Sequence, residues 1–145
     1  MKLNEKMNIY LANQHIMFVK LHNLHWYVKG SKFFTLHAKF EELYDATAKV
    51  LDSVAERLLM IGGKPVASLA GALKLATIKE LDDKDIQCED SLNVVLADIQ
   101  LLATQANEIV KLAEQDGDQG TADMFLDYVG EYQKLIWMLK ATLNK

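Results

Sequence analysis

Residues 20–44 read KLHNLHWYVKGSKFFTLHAKFEELY. Lys29-Gly30-Ser31 interrupts this stretch, and apolar residues keep helical step on both sides of the break. Before it, Met7, Tyr10, Leu11, Gln14, Phe18, Leu21 and His25 recur every three or four positions, which predicts a helix from about Leu3 to Val28. After it, Phe33, Leu36, Phe40, Leu43, Thr47, Val50, Leu51, Val54, Leu58 and Ile61 form one stripe, which predicts a second helix from about Phe34 to Ile61. Gly30 suits the end of the first helix. Gly62-Gly63-Lys64-Pro65, holding the only proline, ends the second.

The second half of the chain holds two further helical segments, without an internal sequence repeat. Glu89 to Glu114 carries Leu92, Val95, Leu96, Ile99, Leu102, Ala106, Ile109, Val110 and Ala113 in helical register. Asp116-Gly117-Asp118-Gln119-Gly120 breaks it. Thr121 is placed to cap a fourth helix through Phe125, Tyr128, Val129, Tyr132, Leu135, Ile136, Leu139 and Leu143. Between the two pairs, Val66 to Ala76 predicts a short helix capped by Ser68, and Asp82, Asp83 and Asp85 mark a turn. No segment alternates as a strand would. Two tight links and one long one describe a four-helix bundle with a middle crossover, all-α and ferritin-like in connectivity, in one domain over residues 1–145.

Composition narrows the function. The chain has 145 residues, half of them apolar, and a net charge of −4. That is one domain's worth of core and the wrong sign for a dedicated nucleic-acid binder. Cys88 is the only cysteine, which fits a reducing compartment. The N-terminus lacks signal-peptide character and no apolar run is long enough to span a bilayer, so the expected location is the cytoplasm.

The residues able to hold a metal are His25, His37, Asp52 and Glu56. Imidazole and carboxylate together suit iron(II), zinc or manganese. Asp52 and Glu56 lie four apart on one helix face, and the two histidines flank one turn. Singly, each has an ordinary explanation: a solvated acidic pair with Arg57 as neighbour, a histidine packed near a helix end. Yet fifteen residues of unbroken helix separate His37 from Asp52, about 22 Å at the standard rise, whereas metal–ligand bonds are about 2 Å. A site using all four must be shared by two chains, and a two-fold dimer makes two such sites. The Glu-x-x-His signature of diiron bundles is missing: Ala12, Val19, His22 and Phe34 stand three before the four histidines. The bundle interior is therefore expected to be dry and apolar. His15 and His22 are expected in packing or hydrogen bonding, with His22 able to support His25.

Read with its neighbours, the stretch 20–44, together with LDSVAERLLMIGGKPVASL (51–69) and WMLKATLN near the C-terminus, resembles the Dps-like mini-ferritins, the family of DNA-binding proteins from starved cells. The resemblance covers nearly the whole chain. It implies a four-helix bundle with a short extra helix in the crossover, assembled as a hollow shell of twelve subunits. It implies a ferroxidase site between two subunits with His25, His37, Asp52 and Glu56 as iron ligands, and Glu41 at a further acidic position. Trp26 would be a nearby aromatic able to take up an oxidising equivalent. The implied activity is oxidation of iron(II), commonly with hydrogen peroxide, and storage of the ferric mineral, a protection against oxidative stress. Zinc or manganese are possible substitutes. Acidic pores for iron entry would draw on Asp118, Asp123 and Asp127. DNA condensation without enzymatic activity, near the nucleoid, is the alternative. A lysine-rich tail would be its basis, and Lys2, Lys6, Lys140 and Lys145 are too few to form one, so DNA binding is expected to be weak or absent.

Overall fold

The computed structural model describes residues 2–145. Helix α1 spans Leu3–Tyr27, α2 Phe33–Met60, the short α3 Leu69–Leu75, α4 Cys88–Gln115 and α5 Gln119–Thr142. Each predicted helix is present with ends shifted by a few residues. The α2 terminus is made by backbone geometry: Gly62 takes φ +84°, and the amides of Gly62 and Gly63 donate to the carbonyls of Leu59 and Leu58. Ser68 caps α3 as expected, accepting from Gly71 N–H.

Two expectations change. Asp118, not Thr121, caps α5: its carboxylate accepts the Thr121 amide and hydroxyl, so Thr121 already lies in the first turn. Also, Val28–Lys29 (β1) and Ile86–Gln87 (β2) form a small parallel pair with Val28 opposite Ile86. Gly30 lies just beyond β1 at φ +134°, where any Cβ would stand 2.9 Å from Cys88 Sγ. It is glycine for that close approach rather than for capping α1.

This strand pair fixes the topology. β1 follows α1 and β2 precedes α4, so the end of α1 and the start of α4 share one end of the bundle. α2 starts at that end too. The order is therefore up, down, down, up, with the crossover running the bundle's full length. Side chains of α1 guide it. Asn8 bonds Lys64 and Val66, Asn13 bonds Thr77 and Ile78, Lys20 bonds Lys79, and Asn23 bonds Asp82. Because the crossover, α2 and α4 all pack on it, α1 is buried around most of its circumference.

The core gathers Met7, Tyr10, Leu11, Leu21, Phe40, Leu58, Leu102, Ile109 and Phe125, each essentially inaccessible. Each such side chain contributes about 1.5–3 kcal/mol on burial. The interior is not uniformly apolar as expected. Tyr10 and Tyr132 share a hydroxyl–hydroxyl hydrogen bond, Gln14 donates to Tyr132, and Lys20 pairs with Asp98 at 2.7 Å. These polar groups are tolerated because each finds a partner. No helix is long and apolar enough to cross a membrane among the described residues.

Candidate metal centre

His25 sits in the last turn of α1 and His37 in the first turns of α2, across the break read in the sequence. His25 Nδ1 is 2.6 Å from the His37 carbonyl, and His37 Nδ1 is 2.7 Å from the His25 carbonyl. A carbonyl only accepts, so each Nδ1 carries the proton and donates it. In the neutral ring the lone pair is then on Nε2. The rings stack with centroids 3.6 Å apart and planes 11° from parallel. Main chain thus holds two adjacent imidazoles in the tautomer that a metal ligand needs.

Glu41 follows His37 by one turn, and its Oε1 lies 3.9 Å from His25 Nε2. That is long for a hydrogen bond but within the span of an ion bonded at about 2 Å to each atom. The donor set of imidazole and carboxylate fits iron(II), zinc and manganese, as read from sequence. His22 donates Nδ1–H to the Phe18 carbonyl and stacks on Tyr44 at 3.7 Å, and Tyr44 in turn meets His25 edge-on. His15 is half-buried, and burial lowers its pKa. Trp26 is 65% exposed and touches the cluster through His22.

Asp52 and Glu56 are both exposed further along α2. Neither carboxylate has an ion pair or side-chain hydrogen bond among the described residues. Arg57 does not neutralise them: its Nη2 pairs with Asp118 at 2.9 Å and its Nε donates to Thr121. No group of three or more His, Cys, Asp or Glu side chains comes together to hold an ion among the described residues. The histidine half and the carboxylate half are therefore not joined within one chain.

The acids expected at a pore differ among themselves. Asp118 is occupied by Arg57 and Thr121. Burial pushes its carboxyl up, but these hydrogen bonds and the guanidinium bring it below the ordinary range. Asp123 accepts from Gln119 at 2.6 Å. Asp127 is exposed and lines a surface depression with Glu56, Met60 and Met124.

A ferritin-like domain model matches residues 4–145. The chain is 44% identical over 143 residues to general stress protein 20U of Bacillus subtilis, covering 99% of this chain and 98% of that one. It is 40% identical to DNA protection during starvation protein 2 of Bacillus anthracis, over 97% and 96% of the two chains. The Dps of Listeria monocytogenes superposes with a TM-score of 0.97 at 35% identity, over 100% of this chain and 95% of that one. The chain belongs to the Dps family. Among its solved relatives, the Vibrio cholerae Dps (TM-score 0.93, 38% identity, 97% and 88% coverage) is described as a member of a superfamily of ferritin-like diiron-carboxylate proteins. In this Dps-family chain the polar side chains of the bundle interior include Tyr10, Gln14 and Tyr132, bonded to one another. The candidate metal-binding residues lie at the α1–α2 turn and on the outer face of α2.

Proposed function

We propose that this protein is a ferroxidase and iron-storage protein that oxidises iron(II) with hydrogen peroxide and keeps the ferric product inside a dodecameric shell. The reciprocal bonds between His25 and His37 carry this reading, because they leave two Nε2 lone pairs ready for a divalent metal. The unpaired Asp52 and Glu56 supply the other half from a neighbouring subunit, with Glu41 beside His25.

In this reading iron(II) is the substrate. Neutral imidazoles accept it without a charge penalty, and the carboxylates favour the harder iron(III) product. Two iron(II) ions give one electron each to one peroxide. The peroxide O–O bond breaks, two protons are taken up, and two waters leave. No free hydroxyl radical is made, which is the protective function. Zinc and manganese bind the same donors as competitors. Acids at the α4–α5 turn, Asp123 and Asp127 above all, draw iron toward the shell; Asp118 serves mainly the fold.

Assembly is supported by exposed apolar side chains that a monomer leaves bare, including Trp26, Phe34, Leu59, Met60 and Trp137. DNA condensation is the lesser reading, since the net charge of −4 repels phosphate. The proposed setting is the cytoplasm. The test is direct: the His25→Gly/His37→Gly double variant assembles like the wild type but no longer oxidises iron(II) with peroxide. Normal oxidation by that variant overturns the site. A tight gel shift at neutral pH and physiological salt would restore the DNA reading.

A further inference from the structure

Tyr44 lies on α2 one turn beyond Glu41 and is the hub of a ring cluster at the α1–α2 turn. Its ring stacks on His22 at 3.7 Å with planes 18° apart. It meets Phe18 edge-on at 6.1 Å and His25 edge-on at 5.4 Å, 87° from coplanar. Two aromatic side chains thus touch the paired imidazoles, Tyr44 on His25 and Phe33 on His37, the latter at 5.0 Å. Of these, only a phenol gives up an electron readily. Trp26 is one ring further away, reaching the cluster through His22 at 5.4 Å. The Tyr44 hydroxyl has no side-chain hydrogen bond among the described residues, and the side chain is only half-buried, so a proton released from it passes to water.

We propose that Tyr44 is a one-electron donor to this site, used when a single iron(II) meets peroxide. The proposal rests on the ferroxidase reading above. Peroxide needs two electrons to become two waters, and one iron(II) supplies one. With no second electron at hand, the O–O bond breaks to give a hydroxide and a hydroxyl radical. With Tyr44 in place, iron(II) and the phenol each give one electron. The phenol also releases its proton, two protons in all are consumed, and the products are iron(III), a tyrosyl radical and two waters. The side chain covers the case in which paired iron is lacking.

The experiment uses the assembled protein with iron(II) at fewer ions than sites and peroxide in excess, freeze-quenched for electron paramagnetic resonance. The wild type is expected to give a tyrosyl signal that narrows when tyrosine is ring-deuterated. The signal persists in Trp26→Phe and is lost in Tyr44→Phe, where spin-trapped hydroxyl radical rises. Tyr44→Phe keeps the ring, and its assembly size and zinc binding show that the cluster is intact. A wild type that oxidises iron without a tyrosyl radical overturns the proposal, as does a signal that survives in Tyr44→Phe. Absence of any iron(II) oxidation overturns the ferroxidase reading as well, so the two failures are told apart.

Discussion

His25 and His37 each donate Nδ1–H to the other's backbone carbonyl, at 2.6 and 2.7 Å. The acceptors are main chain, so removing one side chain leaves the other ring's anchor in place. A single His37→Gly change should therefore delete one donor without releasing His25. Zinc affinity is expected to fall at least about tenfold, and iron(II) oxidation to slow, while both persist in part. Titration calorimetry and ferric absorbance measure the two. Complete loss of zinc binding in the single variant would show that the histidines do not act as separately anchored ligands.

Sharing of the site between chains can be tested by mixing. His25→Gly/His37→Gly lacks one half and Asp52→Ala/Glu56→Ala the other, so each alone should be inactive. When both are co-expressed equally, half of the two-fold pairs are mixed, and each mixed pair rebuilds one of its two sites. About a quarter of wild-type activity is the expected recovery. No recovery from verified mixed assemblies would contradict a two-chain site.

Asp118 holds α4–α5 to α2 through Arg57 and caps α5. Asp118→Ala is expected to cost about 1–2 kcal/mol at neutral pH. The pH dependence follows from its lowered pKa. The unfolded state binds the proton more readily, so the stabilisation is fully present above the unfolded carboxylate value of about 4 and is lost as the pH falls toward the folded one. Urea titrations should show the gap between wild type and variant closing below about pH 4. A gap that widens there would reverse the assignment.

Asn13 is fully buried and uses both ends of its amide. Its oxygen accepts from Thr77 and Ile78 N–H, and its nitrogen donates to Thr77 Oγ1 and Gln105. Asn13→Ala strands two backbone amides near the core. The expected loss is about 2–5 kcal/mol, read as a lowered denaturation midpoint. An unchanged midpoint would mean that the crossover is not anchored there.

Gly30→Ala meets two obstacles, a φ of +134° and Cys88 Sγ at 2.9 Å. Its cost should be about 1–3 kcal/mol. Cys88→Ala in the same chain removes the collision but not the backbone strain, so it should recover only part. Full recovery on thermal melting would leave the backbone unstrained.

The helices were readable because period and breakers agree: the stripe from Phe33 to Ile61 and Gly62-Gly63 name the same element. The candidate ligands were readable because His37 and Asp52 share one uninterrupted helix, which makes their distance computable from sequence. The contacts that decide tautomer were not, since they join a side chain to a carbonyl twelve residues away, and carbonyls have no sequence identity. The role of Tyr44 is not legible in the sequence for a related reason. Its three-residue offset from Glu41 puts it on the right face, but its stack on His22 depends on how α1 and α2 cross. The capping role of Asp118 is not legible in the sequence, because acids beside a turn serve equally as caps or as solvent-facing charge. Only the position of Arg57 distinguishes these.

The row of α1 side chains that receives the crossover also orders events during synthesis. Asn13 leaves the ribosome long before Thr77, Ile78 and Gln105, its hydrogen-bonding partners. The α1–α2 hairpin can form first, from neighbouring sequence, but carries a polar flank that only water satisfies. That flank closes when the crossover and α4 arrive. A chain made only as far as α2 therefore leaves the Asn13 amide with water alone in place of Thr77, Ile78 and Gln105.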